Sequence, residues 1–227
     1  MIRETCLIVF TRFPRSGMSK TRLAQELGDK IAIQLHQAFL KDIFSRFANR
    51  DFDLVVAGAT GDTEEEFHKL AENCGTFDWF FLPSGTTMCD QIISSYRIAL
   101  SRYKKAILTA SDIPQFTHRH VRQMFTNLEE FDVIFHMNHD GGTCPQAMKV
   151  AHDLFTHTTE ISLNHCREWK DRLELLGLRY KLVSEILIDI DTFDDLRIFY
   201  HWQNLLGSDS NMFCPITMGT IRKALSL

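Results

Sequence analysis

The feature that most constrains the fold is the alternation of short apolar runs with longer amphipathic segments along most of the chain. The apolar runs are rich in β-branched and aromatic residues and are bounded by turn or polar residues, which is typical of buried strands. They are Cys6–Thr11, Leu54–Ala59, Trp79–Leu82, Ala106–Thr109 and Val133–Met137. This alternation predicts an α/β fold with a mainly parallel sheet that helices cover on both faces.

The amphipathic segments predict the helices. The clearest covers Asp29–Arg50, where apolar residues recur every four positions and Asp29 is expected to act as the N-cap. Further helices are predicted at Thr63–Asn73, Met88–Tyr103, Thr117–Glu129 and Ile161–Leu176. The tail from Gly207 is less well patterned and is expected to pack loosely.

One segment interrupts the strand–helix rhythm. The stretch NHDGGTCPQAMKV, residues 138–150, contains an Asp-Gly-Gly turn followed by another strand-like run. It predicts a small β-hairpin inserted into the α/β pattern. The chain has 227 residues, of which 44% are hydrophobic, so it can bury a full core. Since there is no repeat or linker, we expect a single domain over residues 1–227.

Charge and cysteine usage narrow the class of protein. The net charge is −4, whereas proteins that bind nucleic acid or membrane surfaces usually present a broad basic face. We therefore expect no nucleic-acid and no membrane partner. The six cysteines are scattered without a CxxC pair, which is typical of reduced thiols in a cytoplasmic protein. The apolar run Cys6–Phe10 is too short for a signal peptide or a membrane span, so we expect a cytoplasmic location.

Four cations cluster immediately after the first predicted strand. In the stretch FTRFPRSGMSKTRL they are Arg12, Arg15, Lys20 and Arg22. In a chain of negative net charge, so local a cluster indicates a small anionic ligand, above all a phosphate. Lys20 and Arg22 fall near the start of a helix, where the backbone also favours an anion. The alternative is a solvated basic loop.

Two familiar phosphate loops do not account for this stretch. The dinucleotide fingerprint G-x-G-x-x-G is absent, because Gly17 is the only glycine here. Lys20-Thr21 matches the end of a P-loop, but the two glycines that this motif requires are Pro14 and Ser19. What remains is a loop that offers backbone N–H groups around residues 16–19 together with the cationic side chains.

Acidic residues follow two other strand-like segments. Asp112 directly follows a strand, in the sequence SDIP, and Asp189 and Asp191 are spaced to lie on the same side of a strand. Thr192 and Asp195 form a capping-box pattern for the next helix. Because ligands of parallel α/β sheets bind beyond the carboxyl ends of the strands, these segments and the basic loop are expected to meet at one edge. Asp112 and Asp191 would there suit Mg²⁺ or Mn²⁺ with phosphate oxygens.

The order of these motifs carries a resemblance. FTRFPRSGMSKTRL, SDIP, DGG and DIDTFDDL follow one another as in a family of bacterial and archaeal glycosyltransferase-like proteins with the GT-A, or nucleotide-diphospho-sugar transferase, fold. Members of that family have an F-x-(R/K)-x-P-x-x-G-x-x-K-T-R-L opening, a G-S-D-x-P segment and a D-x-D-T-x-x-D-L segment. The resemblance covers nearly the whole chain, and its opening motif is the most specific of the three.

The resemblance implies roles for particular residues. It implies metal ligation by Asp112 and Asp191, and nucleotide contacts along the opening loop from Thr11, Arg12, Arg15, Ser16, Gly17, Lys20 and Arg22. Two segments depart from the family pattern, namely TTMCDQIISSY after Gly85 and DGGTCPQAMKV. The second is more similar to the related phospholactate guanylyltransferases, which transfer a nucleotide rather than a sugar. The acceptor side of the site is therefore expected to be unusual.

Other candidate residues point to weaker hypotheses. The ten histidines suggest zinc, but neither His118 with His120 nor His136 with His139 has the spacing or the cysteine partners of a zinc site. Cys144 has no evident His/Asp partners and is interpreted as a packed thiol. Asp140, at the hairpin turn, is the candidate for contacting an acceptor hydroxyl.

The sequence thus predicts a transferase that holds a nucleotide on the Arg12–Arg22 loop and a divalent ion, Mg²⁺ or Mn²⁺, on Asp112 and Asp191. Asp112 and Asp140 are the candidate catalytic residues. The resemblance favours a glycosyltransferase with a nucleotide-sugar donor and a small-molecule acceptor. The alternatives are a nucleotidyltransferase that takes a nucleoside triphosphate and releases pyrophosphate, and a nucleotide-binding module without catalysis.

Overall fold

The computed structural model describes residues 3–48, 50–81, 87–154 and 165–226. The strands are β1 (Arg3–Thr11), β2 (Asp53–Gly58), β3 (Asp78–Phe81), β4 (Tyr103–Ala110), β5 (Val133–Asn138), β6 (Gln146–Met148) and β7 (Tyr180–Leu187). The helices are α1 (Thr21–Leu27), α2 (Asp29–Phe47), α3 (Glu64–Leu70), α4 (Met88–Leu100), α5 (His118–Asn127), α6 (His165–Leu175), α7 (Phe193–Leu206) and α8 (Pro215–Leu225).

The strands of the described residues form one sheet in the order β3-β2-β1-β4-β6-β5-β7. β1 pairs in parallel with β2 and β4, and β5 pairs in parallel with β7. β6 alone is antiparallel, because the turn after β5 folds the chain back between β4 and β5. The fold is therefore mixed α/β with a mostly parallel sheet, and both the predicted fold class and the predicted hairpin insertion are confirmed.

Helices pack on both faces of the sheet because consecutive residues of its buried strands point to opposite sides. Leu7 and Val9 of β1 face a core with residues of α2, α3 and α5. Cys6 and Ile8 of the same strand face a second core with residues of α4 and α6. A third cluster joins α1, α2, α7 and α8 beside the sheet.

The five predicted strands correspond to β1 to β5, and their predicted ends differ from the observed ends by at most three residues. The predicted helices correspond to α2 to α6. Leu82 of the third predicted strand and residues 161–164 of the last predicted helix lie outside the described residues.

Three local predictions are wrong. Asp29 does not cap α2, because Gly28 is the N-cap and the Asp29 carboxylate instead accepts hydrogen bonds from Ser16 and Gly17. The tail does not pack loosely, since it forms α8 and buries Met218 and Ile221 against neighbouring helices. The strand before Asp189 and Asp191 ends at Leu187, so both acids lie in the connection to α7.

Candidate functional site

A cavity of about 500 Å³ opens at the carboxyl ends of β1 and β4, where the polar loops meet as expected. Most of the residues that the sequence singles out line it: Thr11, Arg12, Lys20, Arg22, Asp112, Asp140 and Asp191. Arg15, Ser16 and Gly17 do not line it. The structure thus divides the opening loop into a part that faces the cavity and a part that does not.

Three carboxylates form the floor of the site. One oxygen from each of Asp112, Asp189 and Asp191 lies within 4.8 Å of the others. Among the described residues, this is the one group of at least three His, Cys, Asp or Glu side chains that could hold a metal ion. The spacing in the sequence predicts that Asp189 lies beside Asp191, but it does not identify Asp189 as a metal ligand.

The backbone holds the two acidic segments together. The Ile190 N–H donates to the Asp112 carbonyl at 3.1 Å. Gln115, which is fully buried, donates its side-chain N–H to the Ile188 carbonyl at 2.7 Å. These two hydrogen bonds fix the loop after β4 against the connection after β7, so the three carboxylates converge.

Lys20 lies among these carboxylates. It is the N-cap of α1 and has a left-handed backbone, with φ of 46°, which is uncommon for a residue with a side chain. Its ammonium donates to Asp112 and, at 2.9 Å, to Asp191, and its side chain is 6% exposed. Burial disfavours the charged form of Lys20, but the nearby carboxylates favour that form more strongly, so the pKa of Lys20 is raised. Burial likewise opposes ionisation of Asp112, yet the Lys20 charge lowers the pKa of Asp112.

Asp189 differs from its two neighbours. Burial, reinforced by the charge of Asp112, raises the pKa of Asp189 to about 9, so this carboxyl is protonated at neutral pH. Asn138 donates its side-chain N–H to Asp189 at 3.4 Å. The floor therefore carries the negative charge of Asp112 and Asp191 against the positive charge of Lys20.

The donor set fits a hard divalent cation. The Oδ1 atoms of Asp112 and Asp189 are buried and accept no hydrogen bond from any other described residue, and the proton of Asp189 is shared between the two carboxyls. Two such oxygens in one cluster require a shared proton or a cation. Carboxylate oxygens are the ligands that Mg²⁺ and Mn²⁺ prefer.

The outer part of the opening loop is held by acids of its own. The Phe13 N–H donates to buried Asp62 at 2.8 Å, and the Arg15 guanidinium pairs with Asp62 and, at 2.6 Å, with Glu66. Ser16 and Gly17 are bound by Asp29, as described above. Arg15, Ser16 and Gly17 thus have partners that fix the loop, and their assignment as nucleotide contacts stays a prediction.

Two further cations flank the floor. Arg22 donates to Asp191 at 3.0 Å, and its side chain is 59% exposed. Arg12 is exposed at the cavity wall and makes no ion pair with any residue that the structure describes. Beside it, the hydroxyl of Thr11 donates to the Arg12 carbonyl at 3.1 Å. Arg12 is therefore available to an anionic ligand.

His36 is a site residue that the sequence did not reveal. It projects from α2 behind the floor, and its Nε2 lies 3.0 Å from the Ser111 hydroxyl and 3.3 Å from that of Thr11. Burial, assisted by the Lys20 charge, lowers the pKa of His36 to about 3, so the ring is neutral. The sequence does contain a sign of this burial, because His36 lies four residues before Leu40 and therefore on the same buried row of α2.

The β5–β6 hairpin forms the opposite side of the cavity. Asp140 lies in its exposed turn and accepts the Gly142 N–H at 2.8 Å. The Cys144 sulfur accepts the Ala110 N–H at 3.3 Å, and burial raises the pKa of its thiol. Cys144 therefore has the surroundings of a packed thiol, as interpreted from the sequence.

The four histidines considered for a zinc site have other surroundings. His118 pairs with Asp51 at 2.8 Å, and His139 pairs at 2.6 Å with Asp195, which belongs to the capping box of α7. Burial lowers the pKa of both His120 and His136. None of the four belongs to the acidic floor.

Comparison with known proteins identifies the fold. The profile of a family described as an uncharacterized protein conserved in bacteria, DUF2064, matches residues 85–159, about a third of the chain. No curated protein matches the sequence. A crystal structure from Desulfovibrio desulfuricans G20, named for an assumed nucleotide-diphospho-sugar transferase activity, is 21% identical with a TM-score of 0.85 and covers 99% of this chain and 96% of that one.

Two more distant structures share the architecture. A 4-diphosphocytidyl-2C-methyl-D-erythritol synthase from Anaerococcus prevotii is 11% identical, with a TM-score of 0.58 over 89% of this chain and 96% of that one. A CMP:2-keto-3-deoxy-manno-octonic acid synthetase, solved with CTP, is 10% identical, with a TM-score of 0.53 over 89% and 99%. These similarities show that the chain has the nucleotide-diphospho-sugar transferase fold.

No described helix is long and apolar enough to cross a membrane.

Proposed function

We propose that this protein is a divalent-metal-dependent transferase that uses a nucleotide-sugar donor. The observation that carries the proposal is the convergence of Asp112, Asp189 and Asp191 around Lys20, with Arg12 and Arg22 at the rim. Carboxylates that can hold a cation, next to basic side chains, suit the phosphates of a nucleotide. The structural similarity to the Desulfovibrio desulfuricans protein supports sugar transfer as the first choice.

The three carboxylates would hold Mg²⁺ or Mn²⁺. When bound, such an ion supplies positive charge that stabilises the phosphates of the leaving nucleotide. Arg12, Lys20 and Arg22 would bind the same phosphates by charge-assisted hydrogen bonds. Neutral His36 would support the floor from behind through Ser111 and Thr11.

The reaction would exchange one bond of the sugar for another. The bond between the anomeric carbon and the phosphate oxygen breaks, and a bond forms from that carbon to an acceptor hydroxyl oxygen. The hydroxyl proton passes to a base, for which Asp140 is the candidate because its carboxylate lies at the exposed, hairpin side of the cavity. Preorganised charge at the phosphates and positioning of the acceptor would supply most of the rate enhancement.

Nucleotidyl transfer is the second candidate. It is supported by the fold similarity to the diphosphocytidyl-methylerythritol synthase and to the CTP-bound synthetase. The same basic side chains would then bind a triphosphate, and pyrophosphate would leave. A nucleotide-binding module without catalysis is the remaining alternative.

A panel experiment tests the proposal. The protein is titrated calorimetrically with nucleoside triphosphates, nucleoside diphosphates and nucleotide sugars, each with Mg²⁺, with Mn²⁺ and with EDTA. We expect metal-dependent binding of a nucleotide sugar and its slow hydrolysis by water in the absence of an acceptor. Pyrophosphate release from a triphosphate would instead establish nucleotidyl transfer, binding without either product would support the module, and no binding of any nucleotide would reject all three.

A further inference from the structure

One wall of the cavity carries polar atoms that nothing in the described protein satisfies. Asn138, Thr143 and Gln146 belong to the β5–β6 hairpin and line the cavity. They are 3%, 6% and 5% exposed. Within the described residues, the side-chain oxygen of each is buried without a hydrogen-bond partner.

Unsatisfied buried oxygens cost stability, so proteins keep few of them without a reason. Three on one short hairpin, all on residues that line a cavity of ligand size, indicate that a ligand supplies the missing partners. Because the oxygens themselves are almost inaccessible in the present side-chain conformation, the three side chains must turn towards the cavity when the ligand enters. The hairpin is rigidly placed, because the hydroxyl of fully buried Tyr96 donates to the Gln146 carbonyl at 2.8 Å and β6 pairs with both β4 and β5.

The existing contacts define what that ligand must offer. One amide N–H of Gln146 is already used, donating to the Thr143 carbonyl at 2.5 Å, and one of Asn138 is directed to Asp189. What remains on each amide is the acceptor oxygen and a second N–H, and the Thr143 hydroxyl can donate or accept. The complementary ligand groups are therefore hydroxyls, which also both donate and accept.

The charges on the hairpin wall disfavour an anionic acceptor. The cations that line the described part of the cavity are Arg12, Lys20 and Arg22, and all three come from the opening loop. The hairpin contributes no cation to the lining, and Asp140 adds a negative charge. A phosphate or carboxylate on the acceptor would find no positive partner on this wall.

We propose that Asn138, Thr143 and Gln146 form the acceptor subsite and that its ligand is a neutral, hydroxyl-rich molecule of the sugar or polyol class. This inference rests on the proposed function in that it takes the opening loop to bind the donor nucleotide. Asn138 contacts Asp189 of the floor, so a hydroxyl held by its oxygen lies beside the acidic floor.

Saturation-transfer NMR tests the subsite directly, with the protein free of nucleotide. The neutral probes are D-glucose, D-mannose and myo-inositol, and the anionic probes are 3-phosphoglycerate and phosphoenolpyruvate. We expect saturation transfer to at least one neutral probe. The anionic probes should bind only through Arg12, Lys20 and Arg22, so excess inorganic pyrophosphate should abolish their signal and leave that of the neutral probe. Thr143→Val and Gln146→Met should each lower that signal by about three- to tenfold, the loss of one hydrogen bond, whereas Thr143→Ser should retain it.

Thermal stability separates binding from a structural role. Because the Thr143 hydroxyl has no hydrogen-bond partner among the described residues, Thr143→Val should melt at the same temperature as the wild type or higher. Saturation of an anionic probe that survives excess pyrophosphate, saturation of no neutral probe, or a signal unchanged in both folded variants would overturn the proposal. Calorimetric titration of the same proteins with nucleotide tests the proposed function separately. If no nucleotide binds but the neutral probe still shows saturation transfer, only the proposed donor site is rejected.

Discussion

Replacement of Lys20 tests how the acidic floor is balanced. In Lys20→Met, Asp112 and Asp191 lose the ammonium that pairs with both, while Asp189 is already protonated at neutral pH. Removing one partner of a buried ion pair costs about 3–5 kcal/mol, since the other charge stays buried without compensation. For a chain of this size that corresponds to a fall in Tm of roughly 6–20 °C.

A divalent ion should reverse much of this loss. It supplies the positive charge that Lys20 provided, so Mg²⁺ at 100 times its Kd for the variant should stabilise Lys20→Met by about 2.7 kcal/mol, and the wild type by less. The assay is thermal and urea unfolding at pH 7.5, in EDTA and then in MgCl₂.

Arg22→Met is the matched control. Its side chain is 59% exposed, and within the described part of the chain it pairs only with Asp191, so the cost should stay within about 1 kcal/mol. A Lys20→Met protein as stable as the control in EDTA, or an equal response of variant and wild type to Mg²⁺, would refute the reasoning.

Three further predictions separate binding from structural roles. Arg12→Gln should weaken nucleotide binding about tenfold or more without changing Tm, because its guanidinium has no ion-pair partner among the described residues. Arg15→Gln should lower Tm, because Asp62 and Glu66 lose the cation that pairs with them, and a calorimetric affinity within about threefold of the wild type would count against Arg15 as a nucleotide contact. Gly58→Ala should destabilise the fold, because a Cβ there would lie 2.0 Å from the Trp79 ring; a normal unfolding midpoint in urea would contradict this. In the folded protein the pKa of His36 is lowered to about 3, so its burial destabilises the fold progressively as the pH falls below the unfolded value of about 6.5. His36→Gln should therefore lose less stability than the wild type between pH 6 and pH 4, by about 1.4 kcal/mol per pH unit; parallel pH profiles would reject it.

The sheet and the position of the site could be predicted because both depend on short-range patterns. Alternating apolar runs identify strands, and the carboxyl ends of parallel strands necessarily lie at one edge. That rule predicts from the sequence alone that Lys20, Asp112 and Asp191 lie at the same edge of the sheet. The structure bears out their proximity, with Lys20 bound to both acids.

What could not be predicted depends on contacts between distant segments. Asp29 has the sequence of an N-cap, but its carboxylate is taken by a loop twelve residues earlier. His36 looks like one more position in a helix, and its role appears only when α2 packs behind Ser111. Arg15 is indistinguishable from Arg12 by composition, yet Asp62 and Glu66 engage Arg15 and leave Arg12 exposed.

Calorimetric titration of Asp112→Asn tests the central claim, that a nucleotide is held through a cation on the acidic floor. The account predicts that the wild type binds its nucleotide at least about tenfold more tightly in Mg²⁺ than in EDTA. Asp112→Asn should keep its near-UV circular dichroism and lose that difference, and Asp191→Asn should lose part of it. A folded Asp112→Asn protein that binds nucleotide with the full metal dependence of the wild type would contradict the account.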